Sequence, residues 1–145
     1  MNPDISTAPS PALWRRFAIL LGRLIFAAVF AMALSFKFID IGATSAYIAA
    51  AGFPLPTVLA WLAAILECLL TLAFLTGAFF REASLIAGLY VVFLAFAFHG
   101  PGLWAGNQAE FGFFIDHFTF LAGLLFAAVH GPGRVLVIAR GLLKA

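Results

Sequence analysis

Glu67 is the residue that most demands a chemical explanation. It sits near the middle of GFPLPTVLAWLAAILECLLTLAFLTG, residues 52–77, and no other charge interrupts that run. An ionisable group at bilayer depth costs several kcal/mol, roughly 3 to over 10, unless it is paired or protonated. Another group must therefore answer it. Arg23 is the expected partner. By helical rise Arg23 lies roughly 21 Å below Lys37, and Glu67 roughly 18 Å below Leu55, so the two are expected at similar depth. Pairing removes two isolated charges from a low dielectric. The pair reads either as a fixed lock or as a site where Glu67 exchanges protons or contacts a lipid headgroup or quinone.

A second constellation gathers at the other end of the helices: Lys37, Asp40, His99, Asp116 and His117. Neighbouring helical residues differ by about 100°, so Asp116 and His117 cannot share a direction. Asp116 is expected inward, toward Lys37 or His99, and His117 toward the interface. The spacing matches neither HxxxH nor ExxH, and no metal site is assigned. Polar capping of a wet helix end and a proton-linked or quinone-headgroup site both fit, the latter through a histidine that titrates near neutrality. Tyr90 falls in the apolar middle of a helix, where a buried phenol needs a partner. Glu67 and Thr71 are within its expected reach, as inter-helix glue. Cys68 is the single cysteine, so paired-thiol chemistry is excluded. The HGPG segments at His99 and His130 lack the strand-to-helix context of phosphate loops and read as turns.

Composition says what must position these groups. The 145 residues are 65% hydrophobic and 10% charged, with 18 phenylalanines; mean hydropathy is +1.12. Soluble domains carry about 25% charged residues. An all-α integral membrane protein follows: a four-helix transmembrane bundle with a short outer interfacial helix. A net charge of +2 gives no reason to expect nucleic acid. The lipid bilayer is the first partner.

The spans are expected at Phe17–Ile39, Pro56–Thr76, Glu82–Phe98 and Phe113–Val129. In the first, Arg23, Phe30 and Lys37 fall on one stripe at spacing seven, beside a small-residue stripe of Ala27, Ala31 and Ser35. The short interfacial helix is Ala46–Ala51, capped by Thr44 or Ser45. Pro54 and Pro56 start the second span and Gly77 ends it. His99–Gly112 is a loop, and HGPGR stops the fourth span. Residues 1–12 read as a disordered cytosolic tail, with Ser10–Pro11 as a helix start. Residues 13–133 are the membrane domain, and 134–145 a basic cytosolic segment lying on the membrane face. With both termini inside, Arg15, Arg16, Arg81, Arg134, Arg140 and Lys144 are all cytosolic or juxtamembrane, which is the expected bias.

Four stretches in order carry a family likeness: GRLIFAAVFAMALSFKFID, AYIAAAGFPLPTVLAWLAAILE, the helix ending at His99, and FLAGLLFAAVHGPGR. Together they resemble the DoxX family of small bacterial four-helix membrane proteins over about Leu20–Val135. Where relatives often carry a Lys-Asn pair, this chain has Asp116-His117, an acidic group for a basic one. The resemblance implies an inner-membrane component near respiratory or sulfur redox chemistry. Relatives include subunits linked to quinone-coupled thiosulfate oxidation and members tied to oxidative-stress complexes. On that reading quinone is the expected small molecule, and a partner oxidoreductase supplies the redox cofactor. The alternatives are a small oligomeric transporter, with Arg23, Glu67 and the outer cluster lining a path, and a purely structural assembly subunit.

Overall fold

The computed structural model describes residues 13–138 and 141–142. The expected disordered tail, the Ser10–Pro11 helix start, and part of the basic C-terminal segment lie outside the described residues. Five α-helices follow in order: α1 Leu13–Ile39, α2 Ile41–Ala50, α3 Pro56–Thr76, α4 Phe80–His99 and α5 Gln108–His130, with one 3-10 turn at Pro101–Leu103. All but α2 are long and apolar enough to cross a membrane. Their outward faces carry exposed Leu24, Ile25, Leu69, Leu72, Leu89 and Phe126. The protein is a multi-pass membrane protein.

Local chemistry sets the breaks. Asp40 leaves helical geometry, and its Oδ1 accepts from the Ala43 amide at 2.9 Å, so the cap is Asp40 rather than Thr44 or Ser45 and α2 starts at Ile41, five residues before the expected Ala46. Pro56 opens α3 as its first helical residue. Gly77, at φ 72, closes α3 by turning left-handed and donating to the Ala73 carbonyl at 2.8 Å. Asn107 caps α5 by accepting from the Glu110 amide. The fourth span therefore begins five residues earlier than expected, and the loop before it is correspondingly short.

The helices associate as two close pairs, α1 with α3 and α4 with α5. In the α4–α5 seam Ser84, Ala87 and Gly88 are buried, and a Cβ on Gly88 would meet the Leu121 side chain at 3.1 Å. Small residues allow that approach. The two pairs meet across a layer of phenylalanines. Phe30 stacks on Phe74 at 5.7 Å, Phe74 meets Phe80 edge-on at 5.5 Å, and Phe26 reaches Phe120 at 5.2 Å. This layer, with buried Leu70 and Leu124, fills the middle of the bundle. Ser35, by contrast, is exposed, so the small-residue stripe of α1 faces inward only in part.

Candidate functional site: a chamber lined by Lys37, Glu67 and Tyr90

The phenylalanine layer fixes the antiparallel register of α1 and α3. Lys37 is seven residues after Phe30, and Glu67 seven before Phe74, so stacking Phe30 on Phe74 brings Lys37 level with Glu67. Lys37 Nζ lies 2.8 Å from Glu67 Oε1, with the two side chains 14% and 2% exposed. The Tyr90 hydroxyl donates to the same oxygen at 2.9 Å. Glu67 Oε2 is buried and without a hydrogen-bond partner among the described residues.

The expected Arg23–Glu67 pair does not form. Arg23 lies seven residues from Phe30 in the opposite direction, roughly 20 Å along α1 from Lys37. At that level α3 has reached its end. The Arg23 guanidinium instead donates to the carbonyls of Leu75, Pro132, Val135 and Leu136 at 2.8–3.2 Å. It is 1% exposed and staples the segment after α5 beneath the bundle. That segment also pairs through the Ile138 amide and the Thr76 carbonyl at 3.0 Å. The depth argument fails because Lys37 and Leu55 are not level. The first turns of α3 run beyond Lys37 and pack on α2, where Ser45 and Thr57 share a hydrogen bond of 2.9 Å.

Between the phenylalanine layer and α2 lies a chamber of two adjoining lobes. One, about 420 Å³, is lined by Tyr47 and Ile48 of α2, Leu62 and Leu66 of α3, and Phe93 and Phe98 of α4. The other, about 490 Å³, lies between α1 and α5 against Val29, Phe30, Phe113 and Phe120. Glu67, Tyr90, His99 and His117 line both, and Lys37 lines the first. Tyr47 stacks on Phe98 at 5.0 Å, so α2 roofs the first lobe. Its phenol is pushed above the usual tyrosine range by burial and then by the Glu110 charge.

The rest of the outer cluster divides. His99 and His117 are brought together, with ring centroids 5.2 Å apart. His99 Nδ1 is 2.7 Å from the Glu110 carboxylate, and the Trp104 indole donates to the His99 carbonyl at 2.8 Å. Asp40 serves as the cap of α2 and lines neither lobe. The inward and outward assignments of Asp116 and His117 are reversed. His117 turns toward His99, and Asp116 is exposed at the margin of the second lobe. Lys37 and His99 are already held by Glu67 and Glu110. Thr71 does not meet Tyr90; its hydroxyl donates to the Glu67 carbonyl, one turn back on its own helix. Glu110 is a site residue that sequence reasoning passed over. Its signal was the Asn107-x-x-Glu110 spacing of a helix start. Among the described residues no group of three histidine, cysteine or carboxylate side chains converges as a metal set.

The DoxX family model matches residues 18–100, more than half of the chain. The chain belongs to the DoxX family. The matched span runs from the first turns of α1 to the end of α4, and so includes Lys37, Glu67, Tyr90 and His99. Helix α5, with Glu110 and His117, lies beyond it, as does the FLAGLLFAAVHGPGR stretch. No curated protein and no solved structure gives a significant match.

Proposed function

We propose that this DoxX protein binds the headgroup of a lipid-soluble quinone in the chamber and works with a partner oxidoreductase in the bacterial inner membrane. The observation that carries the reading is the setting of Lys37, Glu67 and Tyr90. Lys37 and Tyr90 converge on one oxygen of Glu67 in a largely apolar chamber within the bundle. Ligand sites for small molecules are mostly apolar pockets of roughly 300–1,000 Å³ with a few placed polar groups. Each lobe is within that range. A flat ring with a polar edge and an apolar tail matches such a site, and the aromatic walls suit the ring.

The proposed orientation has both termini in the cytosol. Four crossings put the start of α1 and the end of α5 on one side, and Arg15, Arg16, Arg81 and Arg134 lie toward that side. The chamber then opens in the half of the membrane nearer the periplasm. Quinones reach that depth from the lipid phase. The redox cofactor is assigned to the partner, since no nucleotide, paired-thiol or haem motif is present in the sequence.

The transporter reading needs Arg23 and Glu67 on one path. Arg23 lines neither lobe, and the Phe30–Phe74 layer lies between them. The quinone reading needs only the chamber. Its test is extraction of quinone from protein purified out of native membranes. Near-stoichiometric quinone is expected, with loss in Lys37→Met/Glu67→Leu. Protein that carries no quinone and binds none when supplied would sink the reading.

A further inference from the structure

Glu67 presents two unequal oxygens. Oε1 accepts from Lys37 and Tyr90. Oε2 is buried and has no partner among the described residues. A carboxylate is an acceptor only, so the missing partner must be a donor. Leaving such an atom unmet carries the desolvation cost of the group.

The two histidines extend the same preference. His117 Nδ1 lies 2.7 Å from the Phe113 carbonyl. A carbonyl only accepts, so Nδ1 carries the proton, and Nε2 of the neutral ring is an acceptor. His99 turns Nδ1 to the Glu110 carboxylate at 2.7 Å, so its Nδ1 carries a proton as well. Donors are fewer. Lys37 directs two hydrogens to Glu67 and the Ala33 carbonyl, which leaves one N–H beside Glu67. Tyr47 adds a hydroxyl at the rim, on a side chain 54% exposed.

We propose that the chamber selects the reduced form, an aromatic hydroquinone: Glu67, which lines both lobes, turns its buried Oε2 into the chamber, where one hydroxyl donates to it while accepting from Lys37. This rests on the quinone reading and assigns its redox state. A hydroxyl donates and accepts, so a single group meets both partners. A quinone carbonyl only accepts. It satisfies Lys37 but sets its lone pairs against the bare carboxylate oxygen. Sites built to hydrogen-bond a hydroxyl discriminate strongly against analogues that lack it. A lipid alcohol such as a polyprenol offers the same hydroxyl. The ring separates the two sources, because Tyr47, Phe93 and Phe98 provide aromatic faces in the first lobe.

The test uses the full chain in lipid nanodiscs under anaerobic conditions. It is titrated with a short-chain benzohydroquinone, the matching benzoquinone, the O-methylated hydroquinone and farnesol. The hydroquinone is expected to bind at least about tenfold more tightly than each of the other three. In Glu67→Gln, the amide oxygen keeps Lys37 and Tyr90, and an NH₂ donor replaces Oε2. The preference should then shrink or invert toward the quinone. Equal affinity for both redox forms in the unsubstituted protein overturns the selectivity and leaves the quinone reading standing. Binding of neither overturns both. Farnesol binding as tightly as the hydroquinone overturns the aromatic class and assigns the hydroxyl to a lipid alcohol. The ligand comparison needs no substitution, so a misfolded variant does not blunt it.

Discussion

Lys37 on α1 and Glu67 on α3 meet at 2.8 Å, in the register that the Phe30–Phe74 stack imposes. One ring contact and one ion pair, seven residues apart on both helices, thus share a single antiparallel alignment. Neither would survive a slip of one turn. The apolar stack tolerates small offsets, whereas the charge pair does not, because a displaced carboxylate would sit unpaired in a low dielectric. The pair therefore sharpens a register that the phenylalanines set only broadly.

Lys37→Met should test this directly. The substitution leaves Glu67, 2% exposed, with only Tyr90 beside it. Removing one partner of a buried pair costs about 3–5 kcal/mol. Lys37→Met/Glu67→Leu removes both charges and should recover most of that loss. Unfolding in mixed micelles measures both variants. A single-variant cost under about 1 kcal/mol, typical of exposed pairs, would show that the pair is not shielded as described.

Much of the bundle was legible because its punctuation is local. Pro56 and Gly77 mark α3 at both ends, and the hydrophobic runs are long enough to span. The stripe of Arg23, Phe30 and Lys37 was legible too, since spacing seven places residues on one face whatever surrounds them. What could not be read was which helix end is level with which. Residue rise gives depth only along one helix, and the relative offset of α1 and α3 is a tertiary quantity set by ring packing. Hence Glu67 was identified correctly as needing a cation but matched to Arg23 rather than Lys37. The facing of Asp116 and His117 had the same origin. Their 100° separation allows either one inward, and Glu110 and Glu67 had already met the groups Asp116 was expected to serve.

Arg23 makes a separate prediction at the opposite end. Its four carbonyl contacts tie Leu75 at the end of α3 to the segment after α5. Hydrogen bonds to a charged group contribute about 1.5–3 kcal/mol each, and less when summed over one side chain. Arg23→Gln should free the segment around Arg134, whose side chain is exposed. Tryptic cleavage after Arg134 should accelerate by roughly a hundredfold, if about 3 kcal/mol of local protection is lost. Arg23→Lys keeps the charge but lacks the fork that spans four carbonyls, and should fall between. Chamber binding should hold in both variants, because the phenylalanine layer separates the two ends.

Two glycines separate backbone strain from crowding. Gly52, at φ 81, has open space where a Cβ would go, whereas Gly77, at φ 72, would place it 3.2 Å from Arg23 Nη1, Pro132 Cβ and Val137 Cγ2. Left-handed geometry alone costs an ordinary residue about 1–2 kcal/mol. Gly52→Ala should lose about that much. Gly77→Ala should lose at least about 1 kcal/mol more, since three neighbours must shift in a closely packed turn. Equal losses in thermal unfolding would mean that the segment after α5 does not press on the end of α3.

Tyr47 gives a spectroscopic readout of the chamber roof. The chain has two tyrosines, so Tyr90→Phe leaves Tyr47 as the only phenol that titrates. Partial burial raises Tyr47 above its ordinary 10.0, and the charge of Glu110 raises it further. Both causes disfavour the phenolate, so ionisation should begin at higher pH than in a free tyrosine. Ultraviolet titration of Tyr90→Phe should show that upward displacement. Adding Glu110→Gln removes the second cause and leaves the first, so the midpoint should fall part of the way back. A midpoint unmoved by Glu110→Gln would mean that the carboxylate does not act on the roof. A complete return to the ordinary value would mean that Tyr47 is solvated rather than stacked on Phe98. The same variant removes the carboxylate that holds His99, so it should also speed hydrogen exchange in the short Gly100–Asn107 connection, by the modest factor expected for a half-buried pair.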